Sequence, residues 1–141
     1  LLNMYKYFEH QADVGIIGEG STLAKAFEEG AKAMFQVMAD VKKIAPKKTI
    51  KVRVEAIDKE ALFIEWLNEL LAKKDIEDMM FSKFKVKINK KKDKFSLSGE
   101  ARGEKTAKKH HLKVEVKAAT YSQLKVEKEG KNYKVQCVVD I

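Results

Sequence analysis

The sequence predicts an α+β fold, a single domain over residues 1–141 with two amphipathic helices packed on a mostly antiparallel β-sheet. Three observations carry that prediction. Two stretches repeat apolar residues every third or fourth position, the spacing of one helix face. From residue 81 onward apolar and charged residues alternate with the period of a half-buried strand. The order of elements, strands and two helices and then a meander, lets helices cover one face of a sheet whose other face stays in water.

Taken in chain order, residues 4–9 (MYKYFE) read as a short strand, and residues 14–17 as a second strand or its continuation. Gly15, Gly18 and Gly20 punctuate the approach to the first helix, so Gly18-Glu19-Gly20 is expected to be a plain turn. Leu23, Ala26, Phe27, Gly30, Ala31, Met34, Phe35 and Met38 form a helical stripe, with Lys25, Glu28, Glu29 and Lys32 between them. Ser21 or Thr22 is placed to cap its start. Residues 41–48 form a basic connector holding Pro46, the only proline. Residues 49–55 alternate through Ile50, Val52 and Val54 like a strand. Asp58 is a cap for a second helix, Glu60 lies in its acid-favouring first turn, and Phe63, Trp66, Leu67, Leu70 and Leu71 make its buried face. Trp66 is its large anchor.

Phe84, Val86 and Ile88 then alternate with Lys83, Lys85 and Lys87. Residues 89–94 (NKKKDK) read as a charged hairpin tip, and Phe95 and Leu97 begin the return strand. Leu112, Val114, Val116 and Ala118 alternate with charged residues in the same way and are expected to form a further strand. Leu124 and Val126 come next, residues 129–132 form a turn, and the last strand carries Tyr133, Val135, Cys137 and Val139 inward. No internal repeat, low-complexity tail or domain boundary interrupts this pattern.

Composition narrows the function. Hydrophobic residues make up 45% of the chain, enough for a core and against disorder. The net charge is +8. Only Arg53 and Arg102 are arginines, so lysine, a hydrated point charge, carries nearly all the positive charge. That excess fits an RNA-facing surface held by phosphate attraction. It fits better the Lys/Glu-rich solvated surface of heat-adapted proteins, since no aromatics interleave the lysines as they do in base-stacking sites. Cys137 is the only cysteine, which excludes a disulfide within the chain and a Cys/His zinc cluster and suits a reducing cytoplasm. No segment reads as a membrane span or a signal peptide, and Met4 is a candidate natural start.

Catalytic motifs are missing from the pattern. Gly18-Glu19-Gly20 precedes a helix as phosphate-binding turns do, but Leu23 stands where a dinucleotide fingerprint needs its third glycine, and no Gly-Lys-Ser/Thr comes after it. His110 and His111, if on a strand, point to opposite faces, and His10 is isolated. No Ser, Thr or Cys has a recognisable base partner, and Cys137 on an apolar strand face reads as an inert buried thiol. This weighs against an independent enzyme.

Two acids stand out against the lysines. The final strand ends in VVDI, which groups the Asp140 carboxylate, the Ile141 carbonyl and a terminal carboxylate, all hard oxygen donors suited to Ca²⁺, Mg²⁺ or Mn²⁺. They are too few for a calcium shell of about six to eight oxygens, so a further carboxylate is required. Asp13, in HQADVGIIGEG, is a candidate for it; an ordinary turn or capping role is the competing reading.

The order of five motifs resembles the archease family over nearly the whole chain. They are His10-Gln11-Ala12-Asp13-Val14; the helix from Ala26-Phe27-Glu28 through Ala33-Met34-Phe35-Gln36-Val37-Met38-Ala39-Asp40; Phe63-Ile64-Glu65-Trp66-Leu67-Asn68-Glu69-Leu70-Leu71; Glu115-Val116-Lys117-Ala118-Ala119-Thr120-Tyr121; and the closing Asp140-Ile141. The resemblance implies an archease-like domain and an accessory protein, not itself an enzyme. Its implied role is to promote guanylylation and multiple turnover of the GTP-dependent RNA ligase of tRNA splicing. It implies a divalent metal, Ca²⁺ first and Mg²⁺ or Mn²⁺ otherwise, held by Asp13, Asp140 and Ile141, the last through main-chain oxygen. Lys117 or Asp40 would support that surface, unless each is an ordinary solvated charge. The alternative is a general basic RNA-binding or chaperone-like module assisting tRNA-modifying enzymes. Two positions depart from the family: Gln11 replaces the usual threonine beside the acid, and Ser122 stands where many members have histidine.

Overall fold

Helix α1 (Leu23–Met38) and helix α2 (Lys59–Glu77) form where the helical stripes predict them. The Thr22 side chain accepts from the Lys25 amide and caps α1, and Asp58 accepts from the Ala61 amide at 2.7 Å and caps α2. On both helices the buried residues cover more than half of the circumference. On α2, Leu62 and Ile64 widen the predicted face of Phe63, Trp66, Leu67, Leu70 and Leu71. A helix with one solvated side does not need so wide an apolar face.

The reason is the layering. A computed structural model, describing residues 3–10 and 13–141, sets the helices between two antiparallel sheets. The first sheet runs in the order β1 (Met4–His10), β2 (Asp13–Gly20), β8 (Asn132–Asp140) and β6 (Ala118–Ala119), with β7 (Lys125–Glu129) also paired to β8. The second runs in the order β3 (Lys48–Ala56), β5 (Lys94–Lys105) and β4 (Met79–Lys91). Helices on antiparallel strands are as expected. The division into two sheets is not carried by period-two alternation, which marks faces and not partners.

Contacts to both sheets are specific. Trp66 is fully buried and donates its indole N–H to the Phe27 carbonyl at 3.1 Å, joining α2 to α1. Its ring lies so close to β5 that a Cβ on Gly99 would stand 2.8 Å from it. Phe35 of α1 packs against Phe81 and Phe84 of β4, each at 5.5 Å between ring centroids. Asn68 of α2 reaches the first sheet, accepting from the Ala119 amide at 2.8 Å and donating to the Ala119 carbonyl at 3.2 Å.

Two expectations are corrected. Gly18-Glu19-Gly20 is not a turn but the end of β2, paired through Gly20 with Tyr133. A Cβ at Gly18 would lie 2.3 Å from the Gly30 backbone nitrogen, so these glycines let α1 cross directly on the strand. Residues 112–117 do not form a strand; only Ala118–Ala119 pairs. Ala118 already faces Asp140, the last residue of β8, so the 111–117 segment lies beyond the end of that strand and has no ladder to join. It runs instead past the end of α1. There the Lys113 amide donates to the Met38 carbonyl and its ammonium to the Gln36 carbonyl. A cation from a distant loop thus serves a helix C-terminus that has no basic residue in its own last turn. Leu112 and Val114 stay exposed, beside a cleft of about 380 Å³ shared with Met38 and Met80.

Candidate metal centre

Strand pairing brings the two ends of the sequence together. In the β2–β8 ladder Val14 faces Val139, so Asp13 and Asp140 stand opposite each other one step beyond the last paired residues. Residues directly opposite on antiparallel strands project from the same face, with Cβ atoms about 4.5–5.5 Å apart. That face is the one away from the helices, because Ile16, Gly18 and their partners Cys137 and Val135 point inward. On the other side of Asp140 lies Ala118, and the Asp140 carbonyl accepts from the Lys117 amide at 2.8 Å.

Both acids are partly buried. Among the described residues, neither side chain takes part in a hydrogen bond or an ion pair. Two facing carboxylates with unspent oxygens repel, and a cation between them relieves the repulsion. Ile141 is the next residue, so its main-chain oxygen belongs to the same end of the sheet. No three His, Cys, Asp or Glu side chains converge on a point among the described residues. A donor set of two carboxylates and a main-chain oxygen is all oxygen, which suits a hard divalent ion and not zinc.

The supporting residues divide. Helix α1 spans about 24 Å and β2 about 26 Å. The helix runs back along the strand, which returns Asp40 toward the Asp13 end of the sheet. The Asp40 carboxylate is engaged locally, accepting from the Lys42 amide at 3.2 Å and capping the short 3-10 helix Val41–Lys43. Lys117 is exposed, with its amide in the ladder beside Asp140. Ser122 is held by backbone contacts: its amide donates to the Thr120 hydroxyl and its carbonyl accepts from Val138. Gln11 lies outside the described residues.

Sequence reasoning missed one buried polar cluster. His110 is not on a strand; it ends the 3-10 turn Lys108–His110 and is fully buried, while His111 at φ 51° is exposed. The Ala107 amide donates to His110 Nδ1, which leaves the ring proton on Nε2, 2.9 Å from Glu104. Glu104 also accepts from the Ala45 amide at 2.8 Å and from Lys109. The Ala45 amide foremost, then His110 and Lys109, hold its carboxyl down at about 2. This cluster ties the connector after α1 to the end of β5, a structural task. The reading of Cys137 holds: it is buried, and burial pushes its thiol up to about 12.

The fold and this end of the sheet define a small two-helix, two-sheet protein with paired acids where the first and last strands of its central ladder meet. The archease protein family (MTH1598/TM1083) matches residues 5–141. An archease of Sulfurisphaera tokodaii is 42% identical over 141 residues, covering 99% of this chain and 100% of that one. An archease of Pyrococcus furiosus is 46% identical over 128 residues, 90% of each chain. The solution structure of Methanobacterium thermoautotrophicum protein 1598 superposes with a TM-score of 0.86 at 36% identity, covering 97% of this chain and 98% of the other. The crystal structure of a Thermotoga maritima archease, described as a possible chaperone, shares the fold with a TM-score of 0.58 at 19% identity. The chain belongs to the archease family. No helix among the described residues is long and apolar enough to cross a membrane.

Proposed function

We propose that this protein is an accessory factor that activates the GTP-dependent RNA ligase of tRNA splicing, promoting its guanylylation and repeated turnover. The partner role comes from the family resemblance. The observation that carries the site is the opposition of Asp13 and Asp140 across neighbouring strands, with no partner for either side chain among the described residues.

In this reading Asp13, Asp140 and the main-chain oxygen of Ile141 hold a divalent cation, Ca²⁺ before Mg²⁺ or Mn²⁺, with water completing its shell. A cation held there would supply positive charge at the surface proposed to meet the ligase. The protein's own contribution is placement. The β2–β8 ladder fixes the two carboxylates relative to each other, and the Lys117 amide fixes the Asp140 backbone. Residues on rigid strands hold such a constellation more closely than residues on loops.

Single-turnover guanylylation of the cognate ligase tests the reading. Adding this protein should raise the rate, and Asp13→Ala or Asp140→Ala should return it to the unassisted level with thermal unfolding little changed. Undiminished stimulation by both variants would refute it.

A further inference from the structure

The outward face of the β3–β5–β4 sheet gathers cations that the chain leaves unneutralised. Strand register puts three rows across it: Thr49, Arg102 and Lys83; Lys51, Glu100 and Lys85; Arg53, Ser98 and Lys87. Six of these nine side chains are cationic and one is acidic. Arg102 lies 3.7 Å from Glu100; among the described residues Lys51, Arg53, Lys83, Lys85 and Lys87 have no ion-pair partner. All six cations are exposed. Some lysines elsewhere are matched locally, as Lys6 is by Glu19 and Lys25 by Glu28.

The face has a shape as well as a charge. Its middle strand puts the short Ser98 and the carboxylate of Glu100 on the floor, while long cationic side chains rise from the strands on either side. The result is a trough of about 390 Å³ between Lys51 and Arg53 on one wall and Lys85 and Lys87 on the other. The walls stand two strand spacings apart, about 10 Å. Along β4, side chains on this face recur about every 6.7 Å, comparable to the spacing of successive phosphates in an extended polynucleotide.

We propose that this trough binds the phosphate backbone of an RNA strand. That the strand is RNA rests on the ligase reading above; the phosphate chemistry does not. An acidic protein is the weaker fit. Protein interfaces are built around buried aromatic or aliphatic anchors and are depleted in lysine, and this face carries no apolar side chain. Nucleic-acid interfaces are strongly positive and polar. No aromatic ring stands among the cations, so bases do not stack here and binding is indifferent to sequence and steeply salt-dependent. The site lies on the opposite sheet from Asp13 and Asp140, so one molecule can hold RNA while its acidic end meets the ligase.

The test is fluorescence anisotropy of a labelled 20-nucleotide oligouridylate with the intact protein across salt concentrations. A Lys51→Ala, Lys85→Ala, Lys87→Ala variant is compared with a Lys125→Ala, Lys128→Ala, Lys131→Ala variant, which removes equal charge from the β7–β8 hairpin. For single strands the slope of log K against log salt is about −0.7 per phosphate neutralised. The trough variant should therefore lose about 2 from that slope and at least tenfold in affinity at low salt. The hairpin variant should change less than threefold, and an Asp13→Asn, Asp140→Asn protein should keep the wild-type slope. Equal losses in the two lysine variants, no retention of RNA by wild type at low salt, or loss of binding in the Asp13, Asp140 variant would each overturn the proposal. So would tighter binding of an oligoglutamate of equal length, which would reassign the face to an acidic protein.

Discussion

The two sheets flank the same helices but handle charge in opposite ways. On the outer face of the first sheet, signs alternate across strands: Glu19 faces Lys134, which faces Glu127, and Lys6 closes on Glu19 at 2.9 Å. Opposite charges directly across a ladder contribute to sheet stability. The exception is the end row, where Asp13 faces Asp140. On the second sheet cations crowd three neighbouring rows: Arg102 faces Lys83, Ser98 alone separates Arg53 from Lys87, and Glu100 is the one acid, between Lys51 and Lys85. Where like charges crowd together against the cross-strand rule, stability is given up locally, and an ion of opposite sign would relieve the repulsion. In the readings proposed above, the first sheet takes a cation at its end and the second an anion along its face.

Substitutions on each side put that contrast at risk. The largest effect is expected at the acidic end, where Asp13→Ala or Asp140→Ala should lower stimulated guanylylation at least tenfold while stability changes by no more than about 0.5 kcal/mol, read by single-turnover labelling and urea unfolding. Next come the contacts that hold both sheets to the helices. Trp66→Ala should cost about 3–5 kcal/mol. Gly18→Ala, which forces a Cβ against the α1 backbone, should cost about 1–3 kcal/mol. Loss of less than about 1 kcal/mol at Trp66, far short of the usual cost of such a truncation, would mean the helices are not clamped as described.

A smaller, pH-dependent effect belongs to Glu104. Its folded carboxyl lies at about 2, against 4.5 for an unperturbed group, so the folded state binds a proton less readily than the unfolded chain. The stability this provides is complete above pH 4.5 and is lost as pH falls toward 2. Glu104→Gln should flatten the fall in unfolding midpoint across that window, whereas an unchanged acid limb would show that its partners do not favour the charged form. Smallest of all, Arg53→Ala and Lys87→Ala, which face only Ser98, should leave stability within about 0.5 kcal/mol, with any shift upward at low salt, because each removes like-charge repulsion from an exposed face.

The contrast between sheets was only partly legible in the sequence. Helix α1, helix α2 and the caps at Thr22 and Asp58 were readable because a helix is local: its periodicity, cap and first turn lie within one stretch of chain. Strand partners are not local. Alternation at Leu112 to Ala118 looks the same as alternation at Phe84 to Ile88, yet only the latter found an open ladder. The glycines of β2 were misread because a turn and a close helix crossing use the same residue for different reasons. Asp13 and Asp140 were each conspicuous as acids in apolar surroundings. That they stand opposite depends on β2 pairing with β8 from the far end of the chain, which no local pattern encodes. His110 escaped notice because its role arises from a 3-10 turn that folds it back toward Glu104. The lysines of β3 and β4 were visible as a surplus, but the trough exists only once β5 lies between them.

The central claim is that the facing acids form a cation site, and calorimetric titration of the intact protein with Ca²⁺ tests it most directly. One ion per chain should bind to the wild type, with binding lost in Asp13→Asn and in Asp140→Asn. Undiminished binding with both carboxylates neutralised, or no binding by the wild type to Ca²⁺, Mg²⁺ or Mn²⁺, would contradict it.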